Sequence, residues 1–243
     1  MIRDRRPMNK ASAPHLTPAD RIIGALAFAA GSADAFAFHR FHDVFTSAMT
    51  GNTALLGIAL GQGHLIAASR SLAALGGFSA GATLGTIIAD IGTQASGAAR
   101  LRRLLALEIA LLLLVALGWA VFPHPLFHAP LYGLIMIGAM AMGSQSVAAR
   151  TIDLPGIPTV VFTTTLTMIM MGLTRSLTHR VARADGPTRA IPPITARQIG
   201  AMGLYVGGAA ATALIGLILP LIAAWPALLA VLLALRAARD FAD

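Results

Sequence analysis

Eight long apolar runs dominate this chain and restrict the folds that it can adopt. They cover residues 22–38, 44–60, 69–91, 103–122, 130–149, 158–174, 198–219 and 222–235. Most of them approach the roughly 20 residues that a helix needs to cross a hydrocarbon core, and the runs beginning at 44, 158 and 222 are marginal. The pattern predicts an all-α membrane protein, a polytopic helical bundle.

Composition supports this class and excludes others. The chain is 56% hydrophobic and 12% charged, against about a quarter charged residues in soluble domains. Its formal charge of +8 is carried by residues that lie between the apolar runs, where topology signals belong, so we expect no nucleic-acid partner. The absence of Cys excludes disulfides, Cys-ligated metals and a thiol nucleophile.

The N-terminal segment resembles the start of a signal peptide, because Arg3, Arg5, Arg6 and Lys10 precede the first apolar run. Further apolar runs follow Ala33-Asp34-Ala35, so we interpret the first run as an anchored helix. Residues 1–20 are predicted to form a basic, disordered tail on the cytoplasmic side of a bacterial inner membrane, near anionic headgroups.

The distribution of Lys and Arg tests the number of crossings. With eight full crossings, 13 basic residues lie inside and 5 outside; if the second and sixth runs enter and leave on one side, the division becomes 16 and 2. The positive-inside rule therefore favours six full crossings plus two partial or broken segments, with eight crossings as the alternative. Six crossings would make the two halves an inverted pair, and eight a parallel pair.

Internal similarity predicts two repeated halves. Residues 76–85 and 207–216 match at an offset of 131, Gly31-Ser32 echoes Gly143-Ser144, and Phe45-Thr46-Ser47 echoes Phe162-Thr163-Thr164. We assign residues 21–122 and 123–236 to the two repeats and 237–243 to a short tail. Small residues at four-residue spacing allow close helix approach, and the helix-packing positions predicted here are Gly77, Gly81, Gly85, Gly208 and Gly216.

A carboxylate and a polar cluster interrupt the apolar runs. Asp34 is costly within a membrane helix, and it is either a proton or cation site or an interfacial capping or packing carboxylate. In Met49-Thr50-Gly51-Asn52-Thr53, Gly51 permits a backbone break that polar side chains can satisfy, although a polar packing seam is the alternative. The predicted substrate or ion path comprises Asp34, Thr50, Gly51, Asn52, Gln145, Thr163, Thr164 and Thr167.

No motif indicates catalysis or a cofactor. His39-Arg40-Phe41-His42-Asp43 and His124-Pro125-Leu126-Phe127-His128 lie in short connections and lack the further ligands of a convincing metal site. No nucleophile and base pair or phosphate loop stands out. We therefore expect no enzyme activity, no metal and no cofactor.

The residues Asp34 to Phe45, Met49-Thr50-Gly51-Asn52, Leu56-Gly57 and Ala141-Met142-Gly143-Ser144-Gln145 resemble the YoaK-like bacterial membrane proteins. That family is classed as a domain of unknown function, and the resemblance spans residues 22–235. It implies a multi-pass inner-membrane protein without an established substrate. The family's second half typically carries Asn and Gly where Ser146 and Thr164 or Thr165 stand here.

Two functions remain open from the sequence. The first is a permease for a small solute or ion, with the polar path at the interface of the repeats and Asp34 in proton coupling. The second is a non-transporting membrane scaffold or assembly partner, whose small-residue faces bind other helices or a second copy of the chain.

Overall fold

The computed structural model describes residues 17–91, 96–126, 128–152, 162–182 and 192–241. These residues form eight α-helices and a short 3-10 turn at Pro220–Ile222, and no β-strand occurs among them. The helices are α1 (Pro18–Arg40), α2 (Met49–Gly61), α3 (Leu65–Asp90), α4 (Gly97–Val121), α5 (His128–Thr151), α6 (Phe162–Ala182), α7 (Pro193–Ile218) and α8 (Trp225–Ala237).

Six of the described segments are long and apolar enough to cross a membrane. They are α1, α3, α4, α5, α7 and the stretch Pro220–Ala237, which contains α8. The two remaining helices are α2, which has only 13 residues, and α6, which carries several Thr residues. These helices correspond to the second and sixth apolar runs, so the prediction of six full crossings and two partial segments is confirmed.

Two buried apolar clusters define the ends of the bundle. The near end, where α1 begins, contains Ile22, Leu104, Ala148 and Ala234. The far end, where α1 finishes, contains Phe36, Ala74, Trp119, Leu131 and Ala223. Helices α1, α4 and α7 therefore run from the near end to the far end, and α3, α5 and α8 run in the opposite direction.

Glycines bring helices of the two halves into backbone contact. The most extensive helix contacts are α3 with α5 and α1 with α7, and the members of each pair are parallel. A β-carbon at Gly31 would overlap the carbonyl of Tyr205, and one at Gly143 would overlap the carbonyl of Phe78. Outside these two pairs, α4 packs on α5, α8 on α1, α2 on α3 and α6 on α7.

Two predicted boundaries are wrong by a few residues. Thr17 caps the N-terminus of α1 in a capping box with Asp20, so residues 18–20 belong to the first helix and not to a tail; residues 1–16 lie outside the described residues. The second apolar run begins at 44, but α2 begins at Met49, because the backbone N–H groups of residues 45–47 are bound to the side chains of Asn52 and Asp34.

Candidate functional site

The chain reverses direction immediately after α1. Residues 41–48 are not helical, and His42 and Asp43 adopt left-handed backbone angles, with φ of 58° and 64°. Such angles are uncommon for residues other than Gly and allow a tight turn. After the turn the side chains of Val44, Thr46 and Ser47 are buried, so this segment returns into the bundle.

Asp34 holds the returning segment in place. Its Oδ1 accepts hydrogen bonds from the backbone N–H of Thr46 (2.8 Å) and of Ser47 (2.6 Å) and from the Thr46 hydroxyl (3.2 Å). Its Oδ2 accepts from the hydroxyls of Ser47 and Tyr205, each at 2.6 Å. We call Asp34, Thr46, Ser47 and Tyr205 the Asp34 clasp. Because the carboxylate is 2% exposed, these five donors replace the water that it loses on burial.

The clasp fixes the depth at which α2 begins. Asp34 lies six residues before the end of α1, which is about 9 Å along a helix axis. Residues 46–48 therefore reach that depth from the far end, and α2 leads back to the far end, where α3 starts. The positive end of the α2 dipole is directed toward the clasp, which favours a carboxylate there. The second run is thus a re-entrant element.

Asn52 forms a second clamp on the same segment. Its Oδ1 accepts from the backbone N–H of Phe45 (2.9 Å), and its Nδ2 donates to the carbonyl of Phe45 (2.7 Å). Gly51 lies in the first turn of α2 against the Phe45 ring, and Thr50 is exposed. The backbone break is therefore at residues 41–48 rather than at Gly51, and the helix is already regular where the prediction placed its interruption.

The predicted path residues of the second half lie apart from the clasp. Gln145 is buried and donates from Nε2 to the carbonyl of Leu26 (3.0 Å). Thr164 and Thr167 are exposed on α6, which packs beside the first turns of α7 through Gly172 and Thr195. The side chain of Thr163 and all of residues 153–161 lie outside the described residues. The structure therefore places the path residues that it describes in separate groups.

Sequence reasoning missed several polar residues of the bundle interior, and Tyr205 and Glu108 are two of them. Tyr205 gave little signal, since a single Tyr in an apolar run is common. Glu108 gave a clear one, because it is the only acidic residue in the run 103–122. It is 0% exposed, and neither carboxyl oxygen has a hydrogen-bond partner in the part of the chain that the structure describes.

Glu108 lies at the middle of α4 on its most buried face. Leu104, Leu105, Leu111 and Leu112 surround it along the same stripe. Oγ of Ser144 and Oε1 of Gln145, on the antiparallel neighbour α5, likewise have no partner within the described ranges. A β-carbon at Gly85 would contact both Ser144 (3.3 Å) and Leu104 (3.5 Å), so Glu108 lies within about one turn of Ser144 in height. Unpaired buried polar groups of this kind are rare and call for an explanation.

Within the described ranges, no three His, Asp or Glu side chains converge to form a metal site. Among the described residues, the buried carboxyl groups are Asp34, which is fully hydrogen-bonded, and Glu108, which has no hydrogen-bond partner there. The first is suited to holding structure, and the second is suited to binding and releasing a proton or cation.

Comparison with known proteins places the chain in a family. Residues 22–237 match a family described as "Protein of unknown function (DUF1275)". The chain belongs to this family. A curated relative is the UPF0700 transmembrane protein YoaK of Bacillus subtilis (strain 168), which is 30% identical over 149 residues, covering 61% of this chain and 64% of YoaK. No solved structure matches. The relative's name agrees with the six long apolar helices of a membrane protein, and the family description leaves the function open.

Proposed function

We propose that the protein is a small-solute or ion permease built from two inverted halves. The observation that carries this proposal is the direction of the helices: α1, α3 and α4 run opposite to α5, α7 and α8 respectively. Inverted repeats with broken segments are a common architecture of secondary transporters, in which one half rocks against the other. The two partial segments are the re-entrant α2 and α6, which packs on α7.

Residue correspondences support a duplication. Gly31 faces the carbonyl of Tyr205 as Gly143 faces that of Phe78, and Gly208 faces Phe28 as Gly81 faces Met140. The matching residues are 112 apart between α1 and α5, and 127 apart between α3 and α7. The contacts therefore pair Gly208 with Gly81, one helical turn away from the match at an offset of 131 that the sequence suggested.

We assign proton or cation coupling to Glu108. Asp34, the first candidate for this role, already accepts five hydrogen bonds, and its loss would release the re-entrant segment. Glu108 is buried at the middle of a membrane-spanning helix and has no hydrogen-bond partner among the described residues, an expensive arrangement that is characteristic of functional intramembrane carboxyl groups. Ser144 and Gln145 offer further polar atoms at a similar height.

Charge supports a cytoplasmic near end in a bacterial inner membrane. Among the described residues that end carries Arg21, Arg100, Arg197 and Arg236, together with the basic neighbours of Arg100, whereas Arg40 and Arg70 lie toward the far end. Lys and Arg accumulate on the cytoplasmic side of membrane proteins. The basic N-terminal segment then lies beside anionic headgroups of the cytoplasmic leaflet.

The scaffold alternative loses its main support. It assigned Gly77 and Gly81 to the capture of other helices, but both face backbone atoms of α5 in this same chain. Replacing Gly81 by Leu would therefore disrupt the chain's own packing, so such a variant could not test partner binding. We also propose no catalytic role, because the interior polar groups described above provide no nucleophile and base pair.

Cysteine accessibility tests the permease without knowledge of the solute. The protein contains no Cys, so Ser144→Cys introduces a single thiol at a position that is 0% exposed. In a permease with alternating access, a membrane-impermeant thiol reagent labels this position from each side of the membrane in turn. Ala148→Cys, also 0% exposed on α5 but surrounded by apolar side chains, is the matched control.

The two outcomes are distinct. Labelling of Ser144→Cys in both right-side-out and inside-out vesicles, with Ala148→Cys unlabelled, supports alternating access. A static bundle leaves both positions unlabelled, and that result would overturn the proposal. Two further variants in the Ser144→Cys background separate the structural role of Asp34 from the coupling role of Glu108. Asp34→Asn should lower thermal stability, because the clasp is lost. Glu108→Gln should change only the ratio of labelling from the two sides.

A further inference from the structure

A cavity at the far end lies between α1 and the last turns of α7. It has a volume of about 250 Å³, and its lining includes the polar residues His39, Arg40 and Thr212 together with Phe36, Gly216 and Leu217. Ligand pockets are concave and mostly apolar with a few polar groups that fix orientation. This cavity has that composition, and it is separate from Glu108 and from the Asp34 clasp.

Arg40 supplies the positive charge of the cavity. Its Nη2 donates to the carbonyl of Gly216 (2.6 Å), and its guanidinium carbon lies 5.8 Å from the centre of the Trp119 ring. The carbonyl of Gly216 needs this donor because the residue four positions later is Pro220, which has no N–H. A guanidinium has five N–H donors, and this is the one hydrogen bond that Arg40 makes within the described ranges; no carboxylate there pairs with it.

Thr212 supplies a hydroxyl without a partner. The residue is 2% exposed, and its Oγ1 has no hydrogen bond among the described residues. A Thr in a helix normally bonds to the carbonyl four residues earlier, but that carbonyl, of Gly208, accepts from the Ser32 hydroxyl (3.2 Å). A buried hydroxyl left unpaired beside a cavity is an expensive arrangement unless a ligand completes it.

The matching positions of the other half show that the fold does not require these groups. By the correspondences proposed above, Arg40 matches Ile152, Thr212 matches Gly85 and Gly216 matches Ala89. All three counterparts are buried, and none has a polar side chain. An apolar contact therefore suffices to pack α3 on α5 at this level, and the cation and hydroxyl are particular to the cavity between α1 and α7.

We propose that this cavity binds an oxyanion, a carboxylate or a phosphate group, carried on a small apolar moiety. The guanidinium of Arg40 matches the geometry of such a group in two parallel hydrogen bonds. Thr212 donates a further bond, and Phe36 and Leu217 contact the apolar part. The same chemistry is offered by a free organic anion and by an anionic lipid headgroup. Binding here does not depend on transport, so a failure of the permease proposal would not contradict this binding site.

Trp119 provides the measurement. It is one of two Trp residues, and it lies beside Arg40, so a Trp225→Phe background reports on the cavity alone. The soluble arm titrates butyrate, benzoate and inorganic phosphate into protein in neutral detergent. The lipid arm compares nanodiscs of phosphatidylglycerol with nanodiscs of phosphatidylcholine. A saturable fluorescence change in the first arm identifies a free anion as the ligand, and a change confined to phosphatidylglycerol identifies a headgroup.

Variants decide whether the signal comes from this cavity. Arg40→Gln should weaken binding by about tenfold or more and Thr212→Val by several-fold, in keeping with the loss of charge-assisted and neutral hydrogen bonds. Arg70→Gln, at the same end of the bundle, should leave affinity unchanged. Thr212→Val should leave the fold intact, because the hydroxyl that it removes has no partner among the described residues. This variant therefore tests the site even if Arg40→Gln does not fold. No saturable change in either arm, or equal affinity in Thr212→Val and the parent, would overturn the proposal.

Discussion

The hydroxyl of Tyr205 donates a 2.6 Å hydrogen bond to Oδ2 of Asp34. This bond joins α7 to α1 across 171 residues of sequence and completes the set of donors that also holds the re-entrant segment. The two residues lie on the parallel helix pair in which Gly31 and Gly208 allow backbone contact. The packing of the two halves and the position of α2 are therefore stabilised by the same carboxylate.

Removing that hydroxyl measures its contribution. Tyr205→Phe should lower the free energy of unfolding by about 1–3 kcal/mol, because a hydrogen bond to a charged, buried acceptor is lost. The natural control is the other Tyr of the chain, Tyr132, whose hydroxyl lies 2.6 Å from that of Ser69. Tyr132→Phe should cost less, since both hydroxyls of that bond are neutral. Thermal unfolding in detergent compares the two variants, and equal melting temperatures would contradict the assigned role of Tyr205.

Each half contains two adjacent glycines, of which one faces the backbone of another helix and the other faces open space. A β-carbon at Gly208 would overlap the carbonyl of Phe28, whereas one at Gly207 would meet nothing within 4 Å. Gly208→Ala should therefore destabilise the protein by about 1–3 kcal/mol through overpacking. Gly207→Ala should be neutral or stabilising by up to about 1 kcal/mol, since Ala is the better helix former. Gly77 and Gly76 form the same pair on α3, and their Ala variants should repeat the result in thermal melts.

The re-entrant position of α2 predicts the sidedness of its two flanks. His42 precedes α2 and His64 follows it, and both are exposed. Single cysteines at these positions should react with an impermeant reagent from the same side of the membrane, and one at Ser96 should react from the opposite side. Eight full crossings would place positions 42 and 64 on opposite sides, so vesicles of defined orientation separate the two topologies.

Glu108 should reduce stability while it serves function. Its buried carboxyl has no partner within the described residues, and such a group costs about 1–3 kcal/mol. Glu108→Met, which fills the same space with apolar atoms, should raise the melting temperature and abolish the alternating labelling of Ser144→Cys. Leu105→Met on the same stripe controls for repacking. A lower melting temperature for Glu108→Met than for Leu105→Met would show that the carboxyl is a structural group with a role in packing.

The sequence predicted the class of the protein and its family without error. Each apolar run extends over some 20 residues, so the six crossings and two partial segments can be recognised even where a run's exact ends are misplaced. Basic residues report which connections share a side, and for this reason they indicated that the second run does not cross. The resemblance around Met49-Thr50-Gly51-Asn52 led to the family that the comparison found.

Tertiary structure decided what each polar residue does. Sequence spacing could not show that Asn52 clamps Phe45, since this depends on how the chain turns at residues 41–48. It also could not show that Tyr205 reaches Asp34, since this depends on how α7 packs against α1. Nor could it show which glycines correspond, because a shift of four residues preserves the face of a helix. Composition and periodicity along the chain set the membrane fold. Contacts between helices that are distant in sequence determine that Asp34 is hydrogen-bonded, that Glu108 has no partner among the described residues, and that Arg40 lines a cavity.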